Sequence, residues 1–243
     1  MANVKSYHRP GNVEEALKLL VQKGRSSAVL AGGTGLVPRL DDDPKDLIDL
    51  QSLVLDQITL SDQRVTVGAM MRLQSVVENE TFPGVIRRAA KYEGPNTLRN
   101  VATVGGSVVM RDRESELCAA LLAFEAVVTV QTAGETCEIA LEEFMTSDFP
   151  DGIVTKVSFA LSGAAAHERV ARTPADKPIV AVVGRRNAEG VIRLAFCGLT
   201  DRPVLLTLSE LQEVVPLADF RGSPEYRRAA AKVLAERVVR ALA

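Results

Sequence analysis

A run of apolar residues, Ala28 to Ala31, stops abruptly at Gly32-Gly33-Thr34-Gly35. A short apolar stretch that enters a glycine turn reads as a buried strand whose chain must reverse in little space. Without Cβ atoms, the backbone N–H groups of such a turn can approach an anion closely, and Thr34 adds a hydroxyl donor. The turn lacks the lysine of a P-loop and the spacing of the G-x-G-x-x-G fingerprint, so it matches neither nucleotide motif. Two readings stand at this point: a plain chain reversal, or a cradle for a pyrophosphate.

About seventy residues later Thr103-Val104-Gly105-Gly106-Ser107 offers a second small-residue turn, with further unobstructed amides and two hydroxyls. Two such loops brought together could hold an extended dinucleotide. Left apart, they are two unrelated tight turns.

The remaining pattern places these turns in a mixed α+β chain. Asn12 followed by Glu15 is a capping-box signal, and Val13, Ala16, Leu17 and Leu20 share one helical face until Gly24. Leu47 to Leu50 is the next strand. Ile58–Leu60 and Val65–Val67 flank Ser61-Asp62-Gln63 as a hairpin. Two helices follow, one carrying Leu73, Val76 and Val77, the other Val85, Ile86, Ala89 and Ala90, separated at Pro83-Gly84. Leu117, Leu121, Leu122 and Phe124 mark a buried helix that leads into the strand Val127 to Val130. Ser162 to Pro174, small and charged with little periodicity, is expected to be a linker or mobile loop. Beyond it lie a hairpin, Ile179–Val183 with Val191–Phe196, and a final amphipathic helix through Tyr226, Ala229, Val233, Leu234 and Val238.

Length and charge narrow the function. A chain of 243 residues suits two packed units. Its net charge of -2, with basic and acidic residues interspersed, provides no field for nucleic acid. The opening residues lack a secretory signal and charges interrupt every long apolar stretch, so no membrane span and a cytoplasmic location are expected. Cys118, Cys137 and Cys197 are too scattered for a zinc site, a redox dithiol or a cluster, and Cys118 and Cys197 read as small core residues. Any metal cluster then belongs to another chain. His8 and His167 are isolated in sequence, and Asp41-Asp42-Asp43 reads as a solvated loop, so no metal is assigned. Arg99 can brace its loop as readily as touch a ligand.

Ala31-Gly32-Gly33-Thr34 and Leu98-Arg99-Asn100-Val101-Ala102-Thr103-Val104-Gly105-Gly106 together resemble the paired FAD loops of molybdenum-hydroxylase flavoproteins. That family includes the medium subunits of carbon monoxide dehydrogenases and the flavin domain of xanthine dehydrogenase. The resemblance extends to Tyr7-His8-Arg9-Pro10 with Glu15-Ala16-Leu17, to Val67-Gly68-Ala69, to Ala119-Ala120-Leu121-Leu122-Ala123, to Arg202-Pro203 and to Ser223-Pro224-Glu225-Tyr226-Arg227-Arg228.

The resemblance implies a two-lobed, PCMH-like FAD-binding domain over residues 1–162, with lobes of about 1–57 and 58–162, followed by a small C-terminal domain over 163–243 with an antiparallel sheet and helices. FAD is then held by Ala31, Gly32, Gly33, Thr34 and Gly35 and by Thr103, Gly105, Gly106 and Ser107. Glu116, standing where the family usually has Asp, contacts the sugar-like part of the cofactor. The implied role is electron transfer, from an iron–sulfur small subunit and a molybdopterin large subunit to an external acceptor such as NAD, oxygen or a quinone.

Several positions depart from the family pattern. Gly35 and Ser107 replace more polar residues, the span from Glu143 to Thr155 is short, and Met110, Arg111, Arg113 and Glu114 fill a stretch that is normally small and polar. The two arginines are expected either to clamp the cofactor phosphates or to crowd the site. Crowding would favour a second reading, an assembly or scaffold subunit that has lost its flavin. A covalent flavoprotein oxidase is disfavoured, because neither loop holds a His or Cys for attachment.

Overall fold

The computed structural model describes residues 4–40, 45–61, 63–148 and 151–243, so Asp41-Asp42-Asp43 and Asp62 lie outside the described residues. The chain begins with β1 (Val4–His8), α1 (Val13–Lys23), β2 (Ser27–Leu30) and β3 (Lys45–Asp49). These strands form a parallel sheet with β3 in the centre. The start of α1 follows from its capping residues: Asn12 Oδ1 accepts the Glu15 N–H at 2.8 Å, and the Glu15 carboxylate accepts the Gly11 N–H at 2.8 Å. Its apolar face sets Ala16 and Leu17 against Ile48, Leu50 and Leu53.

The middle of the chain runs through β4 (Ile58–Leu60), β5 (Arg64–Gly68), α2 (Leu73–Glu78), α3 (Gly84–Tyr92), α4 (Asn96–Arg99), α5 (Val104–Met110), α6 (Glu116–Ala123), β6 (Val127–Thr132), β7 (Thr136–Ala140), α7 (Leu141–Thr146) and β8 (Gly152–Ala160). Its five strands pair antiparallel in the order β4-β5-β8-β6-β7. The β4–β5 hairpin and the two helices after it stand where periodicity places them. Ile153 of β8 also joins the core under α1, which ties this sheet to the first.

The last part contains β9 (Ala164–Val170), β10 (Val180–Arg186), β11 (Ile192–Cys197), β12 (Val204–Leu205), α8 (Glu210–Glu213) and α9 (Pro224–Leu242), with sheet order β12-β11-β10-β9. Strand β9 corrects the expectation of a loop over Ser162 to Pro174. Ala164 to Val170 pairs antiparallel with β10 along its whole length. Alanine is a poor strand former, and the ladder overrides that weak preference.

Strand β10 explains how the third sheet is held. Val180 and Val182 pack with Leu234, Ala235 and Val238 of α9, whereas Ala181 and Val183 join the core formed by α6 and the five-stranded sheet. Both faces are covered, so the strand is apolar without alternation. Helix α6 is buried at every position from Glu116 to Ala123, as expected of a helix that is apolar all round. Cys118 and Cys197 are core residues, as their apolar surroundings suggest, and burial pushes the Cys118 thiol up to about 12.

A polar clasp links the segment after α5 to the C-terminal part. Asp219 pairs with Arg113 at 2.9 Å, Arg221 at 2.7 Å and Arg227 at 2.6 Å, and Arg221 also meets Glu114. Gly198 N–H donates to the Arg113 carbonyl at 2.7 Å. Burial works against ionisation of Asp219, but hydrogen bonds from Arg221 and Arg227 outweigh it and hold the carboxyl far below its ordinary 3.8.

Two outcomes follow from this packing. Leu121→Ala, in the fully buried α6, lowers unfolding stability by about 2–5 kcal/mol, read from the urea midpoint. The depressed pKa of Asp219 means that its contribution is complete above about pH 4 and is lost as the pH falls further. Asp219→Asn therefore destabilises the protein at pH 7 and flattens the acid limb of a stability–pH curve. An unchanged acid limb would remove Asp219 from that role.

Candidate functional site

The carboxyl end of β2 runs into the first glycine turn, which lies against the segment preceding α5. A Cβ on Gly32 would stand 1.9 Å from the Val101 carbonyl oxygen, so the two chains touch backbone to backbone. Gly33 adopts φ +72°, the left-handed region in which glycine is unstrained. Among the described residues no protein acceptor takes the N–H groups of Gly33, Thr34 or Gly35. The turn therefore presents a row of free donors, as its sequence suggests.

The second small-residue turn is differently built. It is the first turn of α5, with Thr103 as N-cap and its hydroxyl accepting the Gly106 N–H. Val104 and Gly105 N–H groups donate to the Met71 and Ala69 carbonyls at 2.9 and 2.8 Å. These amides are thus committed within the protein, contrary to the expectation that they stand free. What the segment contributes is closeness: a Cβ on Gly105 would lie 2.6 Å from the Ala69 Cβ. The small Val67-Gly68-Ala69 motif likewise reflects packing, since a Cβ on Gly68 would strike the Leu55 carbonyl.

Between these elements opens a cleft of about 550 Å³. Its walls include Ala31, Gly32, Gly33, Thr34 and Gly35 from the first turn and Thr103, Gly105, Gly106 and Ser107 from the second. Gly152, Ile153 and Val154 of β8 contribute as well. Nine of the ten residues marked from sequence meet on one surface. The tenth, Glu116, does not line the cleft. It is fully buried, with Oε2 2.6 Å from His167 Nε2 and Oε1 accepting from Arg169 Nε at 3.0 Å. The His167–Glu116 contact is short but poorly aligned as a hydrogen bond, since neither atom has a well-directed partner. Arg169 also lies over the Tyr92 ring.

Arg111 and Arg113 turn away from the cleft. Arg111 is in the left-handed region, its guanidinium 4.8 Å from the Phe144 ring centre and donating to the Ser147 carbonyl at 2.9 Å. Arg113 belongs to the Asp219 clasp. Neither lines the cavity; Met110 does, packed so close to the first turn that a Cβ on Gly35 would stand 2.8 Å from its Cγ and Sδ. Arg99 braces backbone: it is buried and donates to Gln74 Oε1, the Lys91 carbonyl and the Gly94 carbonyl.

Sequence reasoning passed over five polar residues of the wall: Arg39, Glu93, Asp112, Ser115 and Lys177. Glu93 caps α6, accepting from Leu117 N–H and Ser115 Oγ at 2.9 Å each, and pairs with Lys177 Nζ at 3.0 Å. Lys177 follows Asp176 just before an apolar strand, and no periodicity marks it.

The cleft has a bare glycine turn on one side and close-packed small residues on the other, and larger side chains there would fill it. The fold and the cleft define an α+β protein with a cavity between two small-residue turns. Residues 2–160 match the family model described as the FAD binding domain in molybdopterin dehydrogenase, and the chain belongs to that family. It is thus an oxidoreductase flavoprotein subunit with FAD as its cofactor.

The chain is 33% identical over 150 residues to the 6-hydroxypseudooxynicotine dehydrogenase complex subunit alpha of Paenarthrobacter nicotinovorans, a match covering 59% of this chain and about half, 51%, of that one. It is 26% identical to the glyceraldehyde dehydrogenase medium chain of Sulfolobus acidocaldarius, covering 94% and 95% of the two chains. The solved carbon monoxide dehydrogenase of Hydrogenophaga pseudoflava contains a chain of the same fold, with a TM-score of 0.91 at 21% identity over 100% of this chain and 98% of that one.

Gly32→Ala must push the two loops apart and is expected to weaken FAD at least tenfold by fluorescence titration. Gly84→Ala, in open space, leaves affinity unchanged. The Arg111→Ala/Arg113→Ala pair is expected to lower stability by about 1–3 kcal/mol while leaving the FAD dissociation constant within twofold. A change beyond that would put the arginines back at the cofactor.

Proposed function

We propose that this chain is the FAD-carrying electron-transfer subunit of a molybdenum-hydroxylase complex. In this reading, residues 1–162 form the FAD unit, in two lobes meeting near residue 58, and 163–243 form the C-terminal unit. The observation that carries it is the backbone contact at Gly32 and Val101, which joins the two sequence-distant loops over one cleft of about 550 Å³. Gly33, Thr34 and Gly35 N–H groups bind the pyrophosphate, and the exposed Arg39 on the same wall adds positive charge. The small surfaces of Gly105 and Gly106 admit the cofactor closely, with the Ser107 hydroxyl beside them. Glu116 acts from behind the wall, fixing the start of α6.

FAD bound here would exchange single electrons with an iron–sulfur donor and electron pairs with NAD, oxygen or a quinone, while the protein positions it and sets its potential. The described residues hold no cluster of candidate metal ligands, so this reading assigns the clusters to a small subunit and the molybdopterin to a large one. Among the described residues no helix is long and apolar enough to cross a membrane, which suits a complex working in the cytoplasm.

Purified protein is expected to show flavin absorbance that moves to the supernatant on acid precipitation, because no covalent link is made. Colourless protein that ignores added FAD would favour the scaffold reading instead. Affinity purification from the native cell is expected to recover an iron–sulfur and a molybdopterin subunit. Consistent recovery of the chain alone, under conditions that preserve such a complex in a control, would defeat the partner assignment.

A further inference from the structure

Lys177 reaches the FAD cleft from the C-terminal part of the chain, in the segment between β9 and β10, and lines it beside Glu93, Asp112 and Ser115. Its side chain is 30% exposed and the Glu93 side chain 8%. Among the described residues its ammonium makes one hydrogen bond, to Glu93 Oε2 at 3.0 Å, and the Asp112 carboxylate lies further off at 4.0 Å. Two of its three N–H donors are therefore uncommitted. Burial opposes the charge, but Glu93 and Asp112 outweigh it and keep the lysine protonated across the neutral range.

The two carboxylates are partly occupied elsewhere. Glu93 Oε1 takes the Leu117 N–H and the Ser115 hydroxyl, and Asp112 Oδ1 takes the Glu114 N–H. A structural staple between the two parts of the chain would need only the Glu93 bond. What a staple would not need is a place on the wall of the cleft, where Lys177 keeps its remaining donors.

We infer that Lys177 is a positioning residue that sets the redox potential of the bound flavin by presenting a fixed positive charge to it, with Glu93 as the opposing charge. The inference rests on the FAD reading of the cleft. When oxidised flavin takes up two electrons and one proton it gains one negative charge, so a nearby cation favours the reduced form and a nearby carboxylate disfavours it. Arg39, next to the glycine turn, serves the phosphates. Lys177, paired to Glu93 and not to the glycine turn, is assigned to the flavin.

The test uses the full chain loaded with FAD, with midpoint potentials measured by equilibration against reference dyes. Dissociation constants for oxidised FAD and melting temperatures are measured in parallel. Lys177→Gln is expected to bind reduced FAD at least tenfold more weakly relative to oxidised FAD, which lowers the two-electron potential by about 30 mV. Glu93→Gln keeps an acceptor for Leu117 and Ser115 but loses the negative charge, so its potential moves up. Lys177→Arg stays near the parent. A lowered melting temperature in Lys177→Gln with an unchanged potential would make Lys177 a staple only and overturn the inference. Potentials of the two Gln variants shifting in the same direction would overturn it as well. Parent protein that fails to take up FAD at all would defeat the cleft assignment itself, a result separate from these.

Discussion

The approach of Gly32 to the Val101 carbonyl is the constraint on which the site depends. The first turn belongs to a parallel sheet and the second to helix α5 beside an antiparallel one, and only a residue without Cβ lets their backbones touch. The contact is reinforced from below, where Ile153 of the second sheet enters the core of the first. With the loops fixed in this way, free amides on one wall face small, tightly packed residues on the other. The cavity is then a consequence of packing.

The C-terminal part completes this arrangement electrostatically. Helix α6 lies buried against the third sheet and helix α3 and has polar contacts at its start: Glu116 meets His167 and Arg169, and Glu93 meets Leu117 and Lys177. Three of those partners, His167, Arg169 and Lys177, come from the segment 164–177. Residues 164–177 thus bring Arg169 to the back of the cleft and Lys177 to its wall. The Asp219 clasp adds a second tie, between Arg113 after the cavity and the residues leading into α9. Charges held this way, largely out of water, act on a ligand more strongly than surface charges would.

Local signals located the helices and hairpins well. The Asn12 cap, the apolar stripe of α1, the break at Pro83-Gly84 and the long amphipathic α9 all depend on neighbours in sequence, and the structure has them. The reading failed at Ala164 to Val170, where a run of alanines and charges becomes a strand because β10 supplies the ladder. It also failed for the amides of Gly105 and Gly106, which a glycine pattern suggests are free. Met71, Ala69 and Thr103 satisfy the amides of this turn, and only the fold brings Met71 and Ala69 there.

By itself, then, the sequence determined that the chain is a mixed α+β protein with two small-residue turns able to admit a dinucleotide, and its resemblance pointed to FAD. These are statements about short stretches, in which residue type and spacing limit what the backbone can do. Tertiary structure alone decided that Glu116 turns inward to His167 and Arg169, that Arg111 and Arg113 leave the cleft for Phe144 and Asp219, and that Lys177 enters it. Each of those outcomes depends on where a long charged side chain finds its counter-charge, hydrogen-bond acceptor or ring. Such partners are set by contacts between residues tens of positions apart, and no local pattern encodes them.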